Sequence, residues 1–84
     1  ELERFLRTAA RVLSPGGAVA LVMADSAVGP VALRADDIVA DVGRAVGLTP
    51  AACASQDRPH FHSPSQAAFR TRPRAEHAIL LRKP

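Results

Sequence analysis

Leu13-Ser14-Pro15-Gly16-Gly17, running into Ala18-Val19-Ala20-Leu21-Val22-Met23-Ala24-Asp25, decides how this chain is read. A helix stops, the chain reverses, and an apolar strand follows that ends on a carboxylate. Proline disfavours the helical region for the residue before it, so Ser14-Pro15 closes the helix. Gly16-Gly17 supply the reversal at low steric cost. An unbroken apolar run reads as a strand buried on both faces, and such sheets are nearly always parallel, with helices over each face. The expectation is an α/β architecture in which this chain forms the end of a larger sheet.

On the upstream side, Leu2, Phe5, Leu6, Ala9, Val12 and Leu13 form one helical stripe, and charged residues cover the other side. Glu3 and Arg7 stand four apart, a favourable helical pair. On the downstream side, residues 25–30 read as a loop and Val31-Ala32-Leu33 as a short extended approach. Asp36 and Asp37 open a second helix, where carboxylates suit the positive end of the dipole. Its apolar face is Ile38, Val39, Val42, Ala45 and Val46, with Gly43 tolerated for close packing. Gly47 caps its end and Pro50 prevents continuation. Residues 51–56 form an alanine-rich strand with Cys53 buried in it. Residues 57–75 carry no period and hold three prolines, and unstructured stretches of more than about 12–15 residues are usually functional or disordered. Residues 76–82 read as a closing strand.

With 84 residues there is room for one unit, residues 1–84, and a chain this short buries only about 60% of its unfolded surface. Cys53 is the single cysteine, so no internal disulfide can form, and a reducing, cytoplasmic compartment is expected. No apolar run approaches the roughly 20 residues of a membrane span. The chain begins at Glu1, already inside a helical pattern, and is expected to be a piece of a longer protein. The net charge of +3 is unevenly distributed. Residues 1–57 hold five basic and seven acidic side chains, giving −2; residues 58–84 hold six basic and one acidic, giving +5. Segregation of this kind suits an anionic partner, with nucleic acid the commonest candidate, although an arginine-rich solvated loop gives the same count.

The order helix, strand, helix, strand, long loop, strand, with Leu13-Ser14-Pro15-Gly16-Gly17 at the first corner, resembles the C-terminal part of Rossmann-like methyltransferases that use S-adenosylmethionine. Met23-Ala24-Asp25-Ser26 followed by Gly29, and Arg74-Ala75-Glu76-His77-Ala78-Ile79-Leu80-Leu81-Arg82, look like the corresponding strand ends of the DNA/RNA-methylase-like branch. The resemblance implies an α/β fold of helix-strand-helix-strand-strand with the last strand antiparallel, inserted beside the first. It also implies that S-adenosylmethionine is bound by an upstream part of the same domain. The family's glycine-rich cofactor loop, its ribose-binding acid and its catalytic Asp/Asn-Pro-Pro-aromatic segment have no counterpart here, so no cofactor-binding or catalytic residue is carried over.

Asp25 and Ser26 stand where the first strand ends, and ligands of open parallel sheets bind outside the carboxyl ends of strands. They either orient a substrate at a pocket rim or form a turn that caps its own loop. The loop of residues 57–75 leaves from the same edge. Arg58, His60, His62, Arg70, Arg72 and Arg74, interleaved with Phe61 and Phe69, are the expected substrate-binding set: arginine forks bind phosphates and aromatic rings stack on unpaired bases. Alternatively the phenylalanines pin the loop and the arginines are solvated. Gly16-Gly17 follow a helix and precede a strand, the reverse of a dinucleotide cradle. His60, His62, His77 and Cys53 lack the spacing of a structural zinc set, and no metal is expected. Glu76-His77 reads as a pair that opens the last strand and ties down the arginine loop. Taken with the resemblance, these residues imply the substrate-side lobe of a methyltransferase, with DNA or RNA the favoured acceptor and protein or a small molecule left open; the rival is a small non-enzymatic α/β module that binds nucleic acid or serves as an interaction domain.

Overall fold

A computed structural model describes residues 1–84. The chain runs α1 (Leu2–Val12), β1 (Ala18–Ala24), β2 (Ser26–Val28), β3 (Val31–Leu33), α2 (Ala35–Ala45), β4 (Thr49–Asp57), a 3-10 helix (Ser63–Phe69) and β5 (Ala75–Arg82). It is a small mixed α/β fold. Its main sheet has the order β1-β5-β4, and β5 is antiparallel to both neighbours, so β1 and β4 point the same way on either side of it.

Helix α1 stops where Pro15 requires. Leu13 is extended, with φ −69° and ψ 140°, and Gly16 turns at φ +84°. Across that turn Gly16 N–H donates to the Lys83 carbonyl at 2.7 Å, and Lys83 N–H donates to the Gly17 carbonyl at 2.8 Å. The Lys83 ammonium donates to the Leu13 carbonyl at 2.8 Å, satisfying an acceptor left over at the helix end. The last strand is thus sewn to the corner that starts the first.

Leu6, Val39, Leu48, Ile79 and Leu81 form the buried core between the helices and one face of the sheet, flanked by Leu2, Leu13, Leu21, Met23 and Val42. Strand β5 alternates cleanly: Ala75, His77, Ile79 and Leu81 are buried, while Ala78 and Arg82 are exposed. Gly43 is where α2 comes closest to the sheet. A Cβ there would lie 3.0 Å from Leu81 Cδ1 and 3.1 Å from Cδ2.

Four expectations are corrected. Strand β1 is not buried on both faces: Ala18, Ala20 and Val22 are exposed, and both helices lie on the other face, while its antiparallel pairing with β5 is the one expected of the last strand. Small alanines face water at little cost, so an apolar run does not require two covered faces. Residues 25–30 are not a plain loop, since β2 and β3 form a hairpin with Gly29 at φ +57° in the turn. Three-residue strands are too short for a period to be visible. The stretch 57–75 is shortened at both ends and contains the 3-10 helix, begun by Pro64, whose fixed φ suits a first turn. Cys53 is exposed, because β4 is an edge strand.

Candidate functional site

At the end of β1 the chain places Asp25, 1% exposed, against the start of α2 and the start of β5. Its Oδ1 accepts from Ala35 N–H at 2.9 Å and from His77 Nε2 at 2.8 Å. Its Oδ2 accepts from Arg34 Nη1 at 2.8 Å and Ala75 N–H at 3.1 Å. Arg74 Nε donates to the Asp25 carbonyl at 3.1 Å, and Asp25 N–H to the Ala75 carbonyl at 2.8 Å. Ala35 is the first residue of α2, so a carboxylate from β1 takes up a donor that no local side chain caps. Burial alone pushes the Asp25 carboxyl up. The hydrogen bonds from Ala35, His77, Arg34 and Ala75 outweigh it and lower its pKa from 3.8 to about 2.

Arg34 is the second joint of this network. It donates to Asp25, to the Pro73 carbonyl at 2.9 Å and to the Arg72 carbonyl at 2.7 Å, and its guanidinium lies 5.1 Å from the Phe69 ring centre. One side chain therefore fastens the basic segment to the body of the fold. Sequence reading had no signal for it, since an isolated arginine before a helix reads as surface.

Beside this joint is an open cleft of about 260 Å³, lined by Arg58, His60, Gln66, Phe69, Pro73 and Arg74. Arg58 N–H donates to the Arg74 carbonyl at 2.7 Å and its side chain meets Glu76 at 3.3 Å, both partly exposed. His60 packs edge-on against Phe69, with ring centres 4.6 Å apart. The buried Ser65 hydroxyl gathers both histidines, His60 Nε2 at 2.8 Å and His62 Nδ1 at 2.9 Å. The cleft can offer guanidinium and imidazole donors beside an aromatic wall, which suits a phosphate with an attached ring.

The fold thus brings Arg58, His60 and Arg74 to one cleft and sets His62 behind His60 on Ser65. Arg70 and Arg72 are exposed in the same segment, with Arg72 reaching Asp36 at 3.5 Å. Ser26 is exposed on the hairpin and outside the cleft. Asp25 departs from the rim position expected for it: its carboxylate is enclosed, and its oxygens are taken up by the protein itself. Phe69, one of the two aromatics expected either to stack on bases or to pin the loop, completes the lining with Gln66 and Pro73, for which the sequence holds no signal. Of the pair Glu76-His77, Glu76 reaches the segment through Arg58, whereas His77 bonds Asp25 and Ser55 and not the segment itself. No helix is long and apolar enough to cross a membrane. Compared with known families, curated proteins and solved structures, the chain matches none.

Proposed function

We propose that this chain is the substrate-side C-terminal lobe of an S-adenosylmethionine-dependent methyltransferase acting on nucleic acid in the cytoplasm. The observation that carries the reading is the insertion of β5, antiparallel, between β1 and β4, which is the strand arrangement that the resemblance implies for the end of such a sheet. The shape supports a lobe rather than a self-sufficient body. The radius of gyration is 14.1 Å, against about 12 Å for a compact chain of this length, and the extents are 44 × 21 × 15 Å. One sheet face is bare and apolar across its middle, with Ala20, Val22, Ala52, Ala54 and Ala78, and carries Glu76 and Arg82 at its two ends, as a face awaiting further helices would.

These residues do not fit the methyl donor itself, because the only paired glycines, Gly16-Gly17, lie between a helix and a strand and are taken up in the corner. The donor belongs to an upstream part of the domain, and this chain's share is to bind and orient the acceptor. Arg58, His60 and Arg74 hold a backbone phosphate, Phe69 offers a stacking face, and Asp25 with Arg34 fixes the segment that carries them. Methyl transfer is an in-line displacement, so orientation is a large part of what a protein contributes.

The test is transfer of labelled methyl from S-adenosylmethionine to DNA and RNA by the full-length protein. Incorporation that falls when Arg58 and Arg70 are replaced by alanine, with KM rising more than kcat falls, is the expected result. Full-length protein that binds nucleic acid yet neither binds the donor nor transfers methyl would sink the enzyme reading. It would leave the non-enzymatic module, which the same basic cleft also serves.

A further inference from the structure

We infer that Asp36, Cys53 and His77 form a binding site for a single thiophilic divalent cation of the zinc class. One ligand atom from each of the three lies within 4.8 Å of the others. They come from the first turn of α2, the edge strand β4 and the central strand β5, so only the fold assembles them. A tetrahedral zinc site with bonds of about 2.0–2.3 Å needs ligand atoms about 3.3–3.8 Å apart. Shifts of roughly 1 Å in the exposed Cys53 and the partly exposed Asp36 close that gap.

Two further observations point to a ligand here. Asp36 Oδ1 is buried and has no hydrogen-bond partner, although Arg72 reaches its other oxygen at 3.5 Å. Buried carboxylate oxygens are almost always satisfied, and an orphan asks for a missing donor or ion. His77 Nε2 is not a substitute: it stands 3.7 Å away and directs its hydrogen to Asp25 Oδ1 at 2.8 Å. That second bond is the independent observation. An ionised carboxylate can only accept, so Nε2 carries a proton, and in the neutral imidazole Nδ1 keeps its lone pair. Metal-ligating histidines are held in just this way, with the far N–H on a carboxylate that fixes the tautomer.

The Nδ1 lone pair faces the edge strand, where the Ser55 hydroxyl occupies it at 2.7 Å, and Cys53 Sγ lies 3.7 Å from that hydroxyl. A cation displaces the Ser55 proton from Nδ1 and gains thiolate and carboxylate on either side. The donor set of one sulfur, one imidazole and one carboxylate selects zinc or cobalt over magnesium or calcium. Three protein ligands leave a fourth position open to water. The cysteine thiol loses its proton to solvent on binding.

The experiment is anaerobic titration of the reduced full-length protein with Co²⁺ and, in competition with a chromophoric chelator, with Zn²⁺. Expected is a thiolate-to-cobalt band in the near ultraviolet that saturates at one equivalent and is bleached by Zn²⁺. Cys53→Ser removes the band, and Asp36→Asn weakens Zn²⁺ binding at least tenfold. Cys53 is exposed and Asp36 partly so, and far-ultraviolet circular dichroism of the variants checks that the fold is kept. Absence of the band in wild-type protein overturns the site. So does a band that survives Cys53→Ser, or Zn²⁺ affinity that Asp36→Asn leaves unchanged. None of these readouts depends on methyl transfer, so the site stands or falls apart from the function proposed above.

Discussion

Asp25 shows how one side chain can replace several local devices. It caps α2, anchors the start of β5, orients His77 and holds Arg34, which in turn holds the basic segment. Each bond is charge-assisted and shielded from water, where such bonds are strongest. The linkage sign follows from a folded pKa of about 2 against an ordinary 3.8. A depressed carboxyl contributes stability that is fully present above pH 4 and is lost as pH falls toward 2, here about 2 kcal/mol. Urea melts between pH 5 and 2 are expected to show that acid limb. Asp25→Asn puts an amide donor among donors and leaves Arg34 without its counter-charge, at a cost of about 3 kcal/mol. It is also expected to flatten most of the limb, since the group that titrates there is gone. A limb of unchanged depth in the variant would assign the acid sensitivity elsewhere.

Among the elements, α2 carries the tightest constraint. Glycine costs a helix interior about 1 kcal/mol relative to alanine. Gly43 is nonetheless the point where the helix meets Leu81, and an added methyl group would sit 3.0 Å from Leu81 Cδ1 unless that side chain gives way. Overpacking of this kind costs about 1–3 kcal/mol, so Gly43→Ala is expected to be destabilising by roughly 1 kcal/mol net despite its better propensity. Thermal melts decide the sign, and a rise in Tm would mean that Leu81 has room to rotate. The sequence made the close approach at Gly43 legible because a glycine inside an otherwise regular amphipathic pattern needs a packing reason. It also made legible the corner at Pro15-Gly16, both helices and the closing strand. It could not make legible the β2–β3 hairpin, whose arms are three residues each, or the face that β1 leaves bare.

For the whole molecule, charge and apolar surface are separated in space as they are along the chain. Arg58, Arg70, Arg72 and Arg74 lie in and around the cleft at one end of the sheet, Arg82 and Lys83 lie at the other, and the small-residue face lies across its breadth. Binding to single-stranded oligonucleotide is expected to weaken with salt on a log–log line, and Arg58→Ala to reduce that slope by about 1. A slope unchanged by the substitution would place the phosphate contact outside the cleft. Val22 is 69% exposed in the middle of the apolar face. The isolated 84-residue chain is expected to self-associate through that face, and Val22→Lys to suppress the association in sedimentation experiments without altering circular dichroism. Association that persists at the same concentration in the variant would point to the free edges of β1 and β4 instead.

What the sequence determined alone was the two helices, the strands β1 and β5 and the place of β4, with rough bounds, because prolines, glycines and apolar periodicity act on the chain over a few residues at a time. It also determined that cations gather near the C-terminal end. Only the tertiary structure decided that Asp25 is enclosed rather than presented, and that Arg34 holds the basic segment from 38 and 39 residues away. It alone set Asp36, Cys53 and His77 side by side. The reason is physical. A local signal fixes a backbone's dihedral angles, whereas burial and pairing depend on which surfaces meet once the whole chain has closed, and that meeting is written in no single stretch of it.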